Sequence, residues 1–398
     1  MLRSFLVHPF RLFLCSLLMA ALLAVVPGSA QESSAPTIET TAKQAILIDG
    51  ESGAVLFEKS ADEPFEPASL AKLMTMDLVF DALAKGKIAL DQTFAVTEHA
   101  WRTGGAPSGA ATMFAKLNSE VPVEALIRGA IVQGANDAAI ALAEGMAGTE
   151  GAFAMLMNQR AEELGLKHSR FVNPTGLPAD GQQVSARDMA VLARHIERSY
   201  PDLYKIYAEP SYEWNKIFQR NRNPLLEMDI GADGMGTGYT ESSGYSLVGV
   251  THGEDRTTIL VVSGLASAKE RASEARRLLE WARDSFRRQT LFAASDVVGT
   301  AEVYGGTQSS VALTPSQDLV ALVPEQAPDS VTAHIKYVGP LKAPVEQGTK
   351  VANIEIRIGE RLSLTAPLYT AESIAVGSFS GRALEAAGEL AFGWLKML

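Results

Sequence analysis

The hydrophobic positions of the chain change period several times, and each change predicts an element. From Ala45 the stretch "AILIDGESGAVLFEKSADEPFEPAS" gives an apolar run, a glycine-bearing turn and a second apolar run, the pattern of a β-hairpin. Apolar residues then recur at three- and four-residue spacing over Leu70–Leu83, Pro122–Gly145, Gly151–Leu164 and Ala186–Arg198, which predicts helices. Strand patterns return at Tyr245–Val250 and Thr257–Val262, followed by a helix over Lys269–Arg287. Strands at both ends of this region with helices between them predict one α/β domain, 42–289, whose sheet joins distant segments. Beyond it, short runs such as Leu319–Val323 and the strict alternation of Ile354, Glu355, Ile356, Arg357 and Ile358 predict a separate small all-β domain, 290–375. The remainder, 376–398, places Leu384, Ala387, Ala391, Trp394, Leu395 and Leu398 near one helical face. This amphipathic helix is read as lying on a membrane surface, and packing against its own β domain is the alternative, since Arg382 and Lys396 are its only cations.

The N-terminus has a different pattern. Arg3 and Arg11 precede an apolar run, Leu12–Val26, and then Pro27, Gly28, Ser29 and Ala30, with small residues at the positions a signal peptidase would cut. Residues 1–30 are therefore read as a removable secretory signal; an uncleaved anchor is the alternative, but the run is shorter than the ~20 residues a bilayer span usually needs. Residues 31–41, rich in Ser, Thr, Glu and Gln, read as a flexible lead.

Composition narrows the chemistry. The single cysteine, Cys15, lies within the leader, so a mature chain has neither disulfides nor thiol catalysis. Loss of Arg3 and Arg11 takes the formal charge from −11 to −13, which argues against nucleic acid as a partner. No His-x-x-x-His, cysteine cluster, calcium-type loop or phosphate-binding loop occurs, so no metal or nucleotide cofactor is expected.

The sharpest local signal is "FEPASLAKLM". Pro67 suits a first helical turn, which places Ser69 at a helix N-terminus and Lys72 one turn later on the same face. A serine hydroxyl needs a base, and a lysine serves only when burial or a nearby cation lowers its pKa. The helix N-terminus adds backbone N–H groups where an oxyanion would form. Ser-x-x-Lys by itself is common on exposed helices.

Five segments in order give it context: "ILIDGESGAVLFEKSADEPFEPASLAKLMT", "IVQGANDAAIALAE", "FVNPTGLP", "SARDMA" and "ADGMGTGYTESSGYSLVG". Over nearly the whole mature chain they resemble the low-molecular-mass penicillin-binding D-alanyl-D-alanine carboxypeptidases, the serine DD-peptidases. The resemblance implies a penicillin-binding, β-lactamase-like transpeptidase fold, an antiparallel sheet with helices, followed by the small β domain and a terminal amphipathic anchor. It implies an exported, periplasmic enzyme, peripheral on the outer face of the cytoplasmic membrane. Its partners would be peptidoglycan stem peptides, β-lactam antibiotics as covalent inhibitors, and the inner-membrane surface.

Such enzymes carry Ser-x-x-Lys, Ser-x-Asn and Lys-Thr-Gly clusters. Ser69 and Lys72 match the first. At the second, Gly134 stands in place of the serine and Asn136 is kept, so the proton relay attributed to that serine falls to Lys72 or a water. At the third, Gly236 replaces the lysine ahead of Thr237 and Gly238. By resemblance Thr237 hydrogen-bonds the substrate carboxylate, and the N–H of Tyr239 completes an oxyanion hole with that of Ser69. Between Phe218 and Ala268 the cations are Arg220, Arg222 and Arg256; Arg256 matches a family arginine and is the expected replacement charge, an ordinary surface arginine being the alternative. The implied activity is release of the terminal D-alanine, reduced or altered by the two glycines. A non-catalytic wall-binding scaffold and a β-lactamase-like hydrolase are the competing functions. "NPTGL" (173–177) reads as a turn that fixes the cleft wall, and Asp188 as support for the start of a helix.

Overall fold

The computed structural model describes residues 2–6, 37–254 and 256–383. The chain forms two compact units, one of Ile38–Asp284 and one built mainly from Ser285 onward. The expected leader lies outside the described residues except for Leu2–Leu6, a strand paired with Val331–Val338 in the second unit. Most of the lead and the C-terminal helix beyond Ala383 are also outside them.

The first unit is organised by a five-stranded antiparallel sheet. Its strands in chain order are β1 (Gln44–Asp49), β2 (Val55–Lys59), β3 (Ala232–Thr240), β4 (Gly244–His252) and β5 (Thr257–Leu265), arranged β2-β1-β5-β4-β3. The hairpin expected from Ala45 is β1–β2, and the register Ile46↔Val261 joins segments from opposite ends of the unit. Both faces of β1 and β5 are covered, which is why they read as nearly continuous apolar runs rather than alternating ones.

The longer helices of the unit are α1 (Lys72–Ala84), α2 (Val123–Val132), α3 (Asn136–Ala147), α4 (Glu150–Glu163), α5 (Ala186–Ser199) and α6 (Ala268–Ser285). Thr149 and Ser185 cap α4 and α5 by accepting from the N–H of Ala152 and of Asp188. Helix α3 is buried from Asn136 to Ala143, and its small apolar residues let its neighbours approach from all sides. Met74, Phe80, Leu126 and Phe153 share the core with it.

One expectation is corrected. Pro122–Gly145 is two helices, because Gly134 has φ +66° and the chain turns there in a conformation that L side chains rarely adopt. Apolar periodicity runs through the break and conceals it. The turn starts α3 at Asn136, beside the cleft. The Lys269–Arg287 helix ends at Ser285, where Phe286–Phe292 becomes a strand paired with Leu319–Pro324.

The second unit is the expected all-β unit. Lys350–Ile358 alternates buried and accessible positions along its length and pairs antiparallel with both Val331–Val338 and Arg361–Thr370. Its core includes Ile335, Ile354, Ile356 and Leu368.

Candidate active site

Pro67 leads into a short 3-10 turn, Ala68–Ala71, which runs directly into α1. Ala68, immediately before Ser69, has φ +47°, a strained value for a residue with a Cβ. Two close approaches hold the turn. A Cβ on Gly176 would lie 1.6 Å from the Ala68 carbonyl oxygen, so only glycine fits there. On the other side, a Cβ on Gly238 would lie 3.0 Å from both Ala68 Cβ and the Pro67 carbonyl oxygen. The turn that carries Ser69 is thus pinched between the 173–177 loop and β3.

Lys72 is 5% exposed, and its Nζ lies 3.0 Å from Ser69 Oγ. The same nitrogen donates to the Thr175 carbonyl oxygen at 2.8 Å. Burial is the main cause that lowers its pKa from 10.5 to about 7; the charge of Arg222 lowers it further and that of Asp137 opposes them. A neutral amine that gives one N–H to Thr175 keeps a lone pair for the serine proton.

Asn136, at the first turn of α3, is 4% exposed, and its Oδ1 is buried with no hydrogen-bond partner among the described residues. Its backbone N–H donates to the Ala111 carbonyl, and the neighbouring Asp137 carboxylate accepts from Thr112 Oγ1, Met113 N and Ala115 N. These bonds fix the 111–115 loop to the start of α3.

One open pocket is lined by Ser69, Lys72, Gly134, Arg222, Gly236 and Thr237 together with Asn221, Asn223 and apolar side chains. Ser69, Lys72, Gly134 and Gly236 therefore meet in one place. A Cβ added to Gly236 would touch only Leu70 Cδ2, at 3.7 Å, so a side chain at this position would enter open space. Tyr239, next along β3, is 52% exposed and stacks at a tilt on Tyr245 with centroids 4.4 Å apart.

Arg256 is not among the residues lining this cavity. It borders a separate groove with Asp229, His252, Glu280 and Arg283, and its Nη1 donates to the Ala282 carbonyl. Three contributors escaped the sequence reading. The Thr175 carbonyl and Gly176 act through backbone geometry, and the "NPTGL" segment was their only signal. Arg222 reaches back across 89 residues to donate from Nε to the Gln133 carbonyl at 2.6 Å. Asp188 ties down its surroundings by accepting from the N–H groups of Lys167 and His168.

Among the described residues no group of three histidine, cysteine or acidic side chains could hold a metal ion, and no helix is long and apolar enough to cross a membrane.

Comparison with known proteins places this geometry. Residues 29–267 match the family model described as D-alanyl-D-alanine carboxypeptidase, and residues 286–376 match the C-terminal domain of penicillin-binding protein 5. The chain is 37% identical over 355 residues to the D-alanyl-D-alanine carboxypeptidase DacC of Escherichia coli strain K12, covering 88% of each chain. It is similar to the crystal structure of penicillin-binding protein 5 from Haemophilus influenzae, with a TM-score of 0.74, 34% identity, and coverage of 85% of this chain and 99% of that one. Penicillin-binding protein D2 from Listeria monocytogenes in its cefotaxime-bound form matches 62% of this chain and 98% of its own, at 27% identity and a TM-score of 0.56.

Proposed function

Because the chain belongs to the D-alanyl-D-alanine carboxypeptidase family, a family of serine peptidases, we propose that it hydrolyses the bond between the two terminal D-alanines of peptidoglycan stem peptides through an acyl-enzyme on Ser69. The observation that carries this reading is the buried Lys72 amine, 3.0 Å from Ser69 Oγ and with its pKa lowered to about 7.

Neutral Lys72 takes the Ser69 proton as Oγ attacks the penultimate carbonyl. The backbone N–H groups of Ser69 and Tyr239 receive the oxyanion, and Asn136 binds the substrate backbone. As the C–N bond breaks, the proton passes from Lys72, directly or through a water, to the departing amine, because Gly134 offers no hydroxyl. Lys72 then deprotonates the water that cleaves the ester. Thr237 accepts the role of hydrogen-bonding the terminal carboxylate, with Gly236 and Gly238 as the adjoining strand backbone. Arg256 lies off the cavity and has no part in this scheme. The absence of lysine at 236 removes from β3 a charge-assisted contact of roughly 1.5–3 kcal/mol, which lowers turnover about ten- to hundredfold unless another cation meets the same carboxylate.

β-Lactams mimic the acyl donor and would acylate the same serine; a relative has been solved with cefotaxime bound. The leader and the C-terminal segment fit an exported enzyme held at the outer face of the cytoplasmic membrane. Glycine at both 134 and 236 supports one other function, a wall-binding scaffold without turnover.

The test is incubation of the mature protein with a fluorescent penicillin, with Ser69→Ala as control, together with an assay for D-alanine released from a stem pentapeptide. Covalent labelling lost in the variant, with D-alanine release, is expected. Binding of wall fragments by both proteins without labelling would favour the scaffold, and rapid turnover of the penicillin would favour a β-lactamase.

A further inference from the structure

The two glycines border the same pocket as Arg222, and one of them lies against it. A Cβ at Gly134 would lie 3.1 Å from Arg222 Cδ and 3.3 Å from its Nε, so the arginine stem stands where a side chain at 134 would project. At Gly236 the opposite holds, and nothing fills the space left there. The Arg222 side chain is exposed where it borders the cavity with Ser69 and Thr237, and it is anchored by its Nε bond to the Gln133 carbonyl. No carboxylate of the described residues forms an ion pair with it. A cavity with a nucleophile, a hydroxyl donor and an uncompensated guanidinium suits an acyl donor that ends in a carboxylate.

We propose that Arg222 is the specificity-determining cation of this site: its guanidinium receives the carboxylate of the acyl donor in place of the absent lysine, from the position that the absent serine has vacated. The proposal rests on the acyl-enzyme reading above and adds to it the group that selects the substrate. It also explains why the two motifs changed together. With glycine at 134 the arginine can lie against the backbone of the turn; with serine there, at φ +66° and 3.1 Å from Cδ, it would have to move. The same guanidinium is one of two charged groups acting on Lys72, the other being Asp137 of α3, so one side chain both binds the substrate end and favours the neutral base.

The measurement is the rate of Ser69 acylation by benzylpenicillin, which has a free carboxylate, and by its methyl ester, which has none, in the wild type, Arg222→Gln and Arg222→Lys. The wild type is expected to prefer the free acid by roughly ten- to hundredfold. Compared on the pH plateau above the acid limb, Arg222→Gln removes that preference by slowing the acid and not the ester, and it moves the acid limb of both rate profiles to higher pH; Arg222→Lys retains a preference. A full preference in Arg222→Gln, equal losses on both compounds, or no preference in Arg222→Lys would each overturn the proposal. Absence of labelling of the wild type by either compound would instead sink the acyl-enzyme reading on which it stands. A loss of fold cannot imitate the expected result, because it would slow both compounds alike.

Discussion

Two ionisable side chains on α1, five positions apart, are both taken out of water and have opposite fates. Lys72 meets a carbonyl and a hydroxyl but no carboxylate within ion-pair distance, and burial drives its pKa down to about 7. Asp77 is fully buried as well, yet Arg160 Nε lies 2.7 Å from its Oδ2 and His195 Nε2 lies 3.3 Å from its Oδ1. Burial raises the Asp77 pKa and Arg160 pulls it back. Arg160 continues to His195 Nε2 and Tyr200 OH, and thereby ties α1, α4 and α5 together. An unpaired buried charge becomes a reagent, whereas a paired one becomes a joint.

The contrast can be broken most sharply at Lys72. Lys72→Met should lower acylation by about a thousandfold or more, within the range expected for loss of a positioned base. It should also raise the thermal midpoint at pH 7. Between pH 7 and 10.5 the unfolded chain keeps a proton on Lys72 that the folded chain has released, so this group's contribution to stability grows as pH rises and is most unfavourable below pH 7. The gain from Lys72→Met should therefore shrink as melts are repeated toward pH 10.5; a variant less stable than wild type at pH 7 would contradict this account.

Asp77→Ala is expected to do the reverse. It strands Arg160 in a largely buried position and should cost about 3 kcal/mol in denaturant unfolding, while the acylation rate of the folded fraction stays within about threefold, there being no contact with Ser69. A large loss of acylation at full folding would show that Asp77 acts on the site.

Gly236→Lys comes next. The open space at Leu70 accepts the new side chain, and D-alanine release should rise about tenfold; an unchanged or lower rate would undermine the account of the missing charge. The smallest effect is on pH. The wild-type acylation rate should climb through a midpoint near pH 7 as Lys72 loses its proton, and Asp77→Ala should leave that midpoint in place.

Much of this arrangement was legible in the sequence where the informative atoms belong to side chains that recur at a helical or strand period. Ser69 and Lys72 announce themselves by one-turn spacing, and Ile354–Ile358 by alternation. The Thr175 carbonyl is invisible in this way, since every residue has one; only the fold brings it to Lys72, 103 residues away. Gly134 hides a helix break inside a continuous apolar pattern. Arg222 was noticed only as one of three arginines in its stretch, and choosing among them required knowing that its side chain turns back to Gln133. The Asp77–Arg160 pair lies in helices whose apolar faces gave no sign of it.

The pinched turn that carries Ser69 also bears on when its surroundings are complete. Ser69 and Lys72 are made early, but the carbonyl of Thr175, the guanidinium of Arg222 and the strand at Gly238 follow only after a further hundred residues or more. A growing or partly threaded chain holds an ordinary protonated lysine beside an ordinary alcohol. The lowered pKa of Lys72 therefore belongs to the closed fold, in which distant segments bury its amine, and not to the local Ser69–Lys72 sequence.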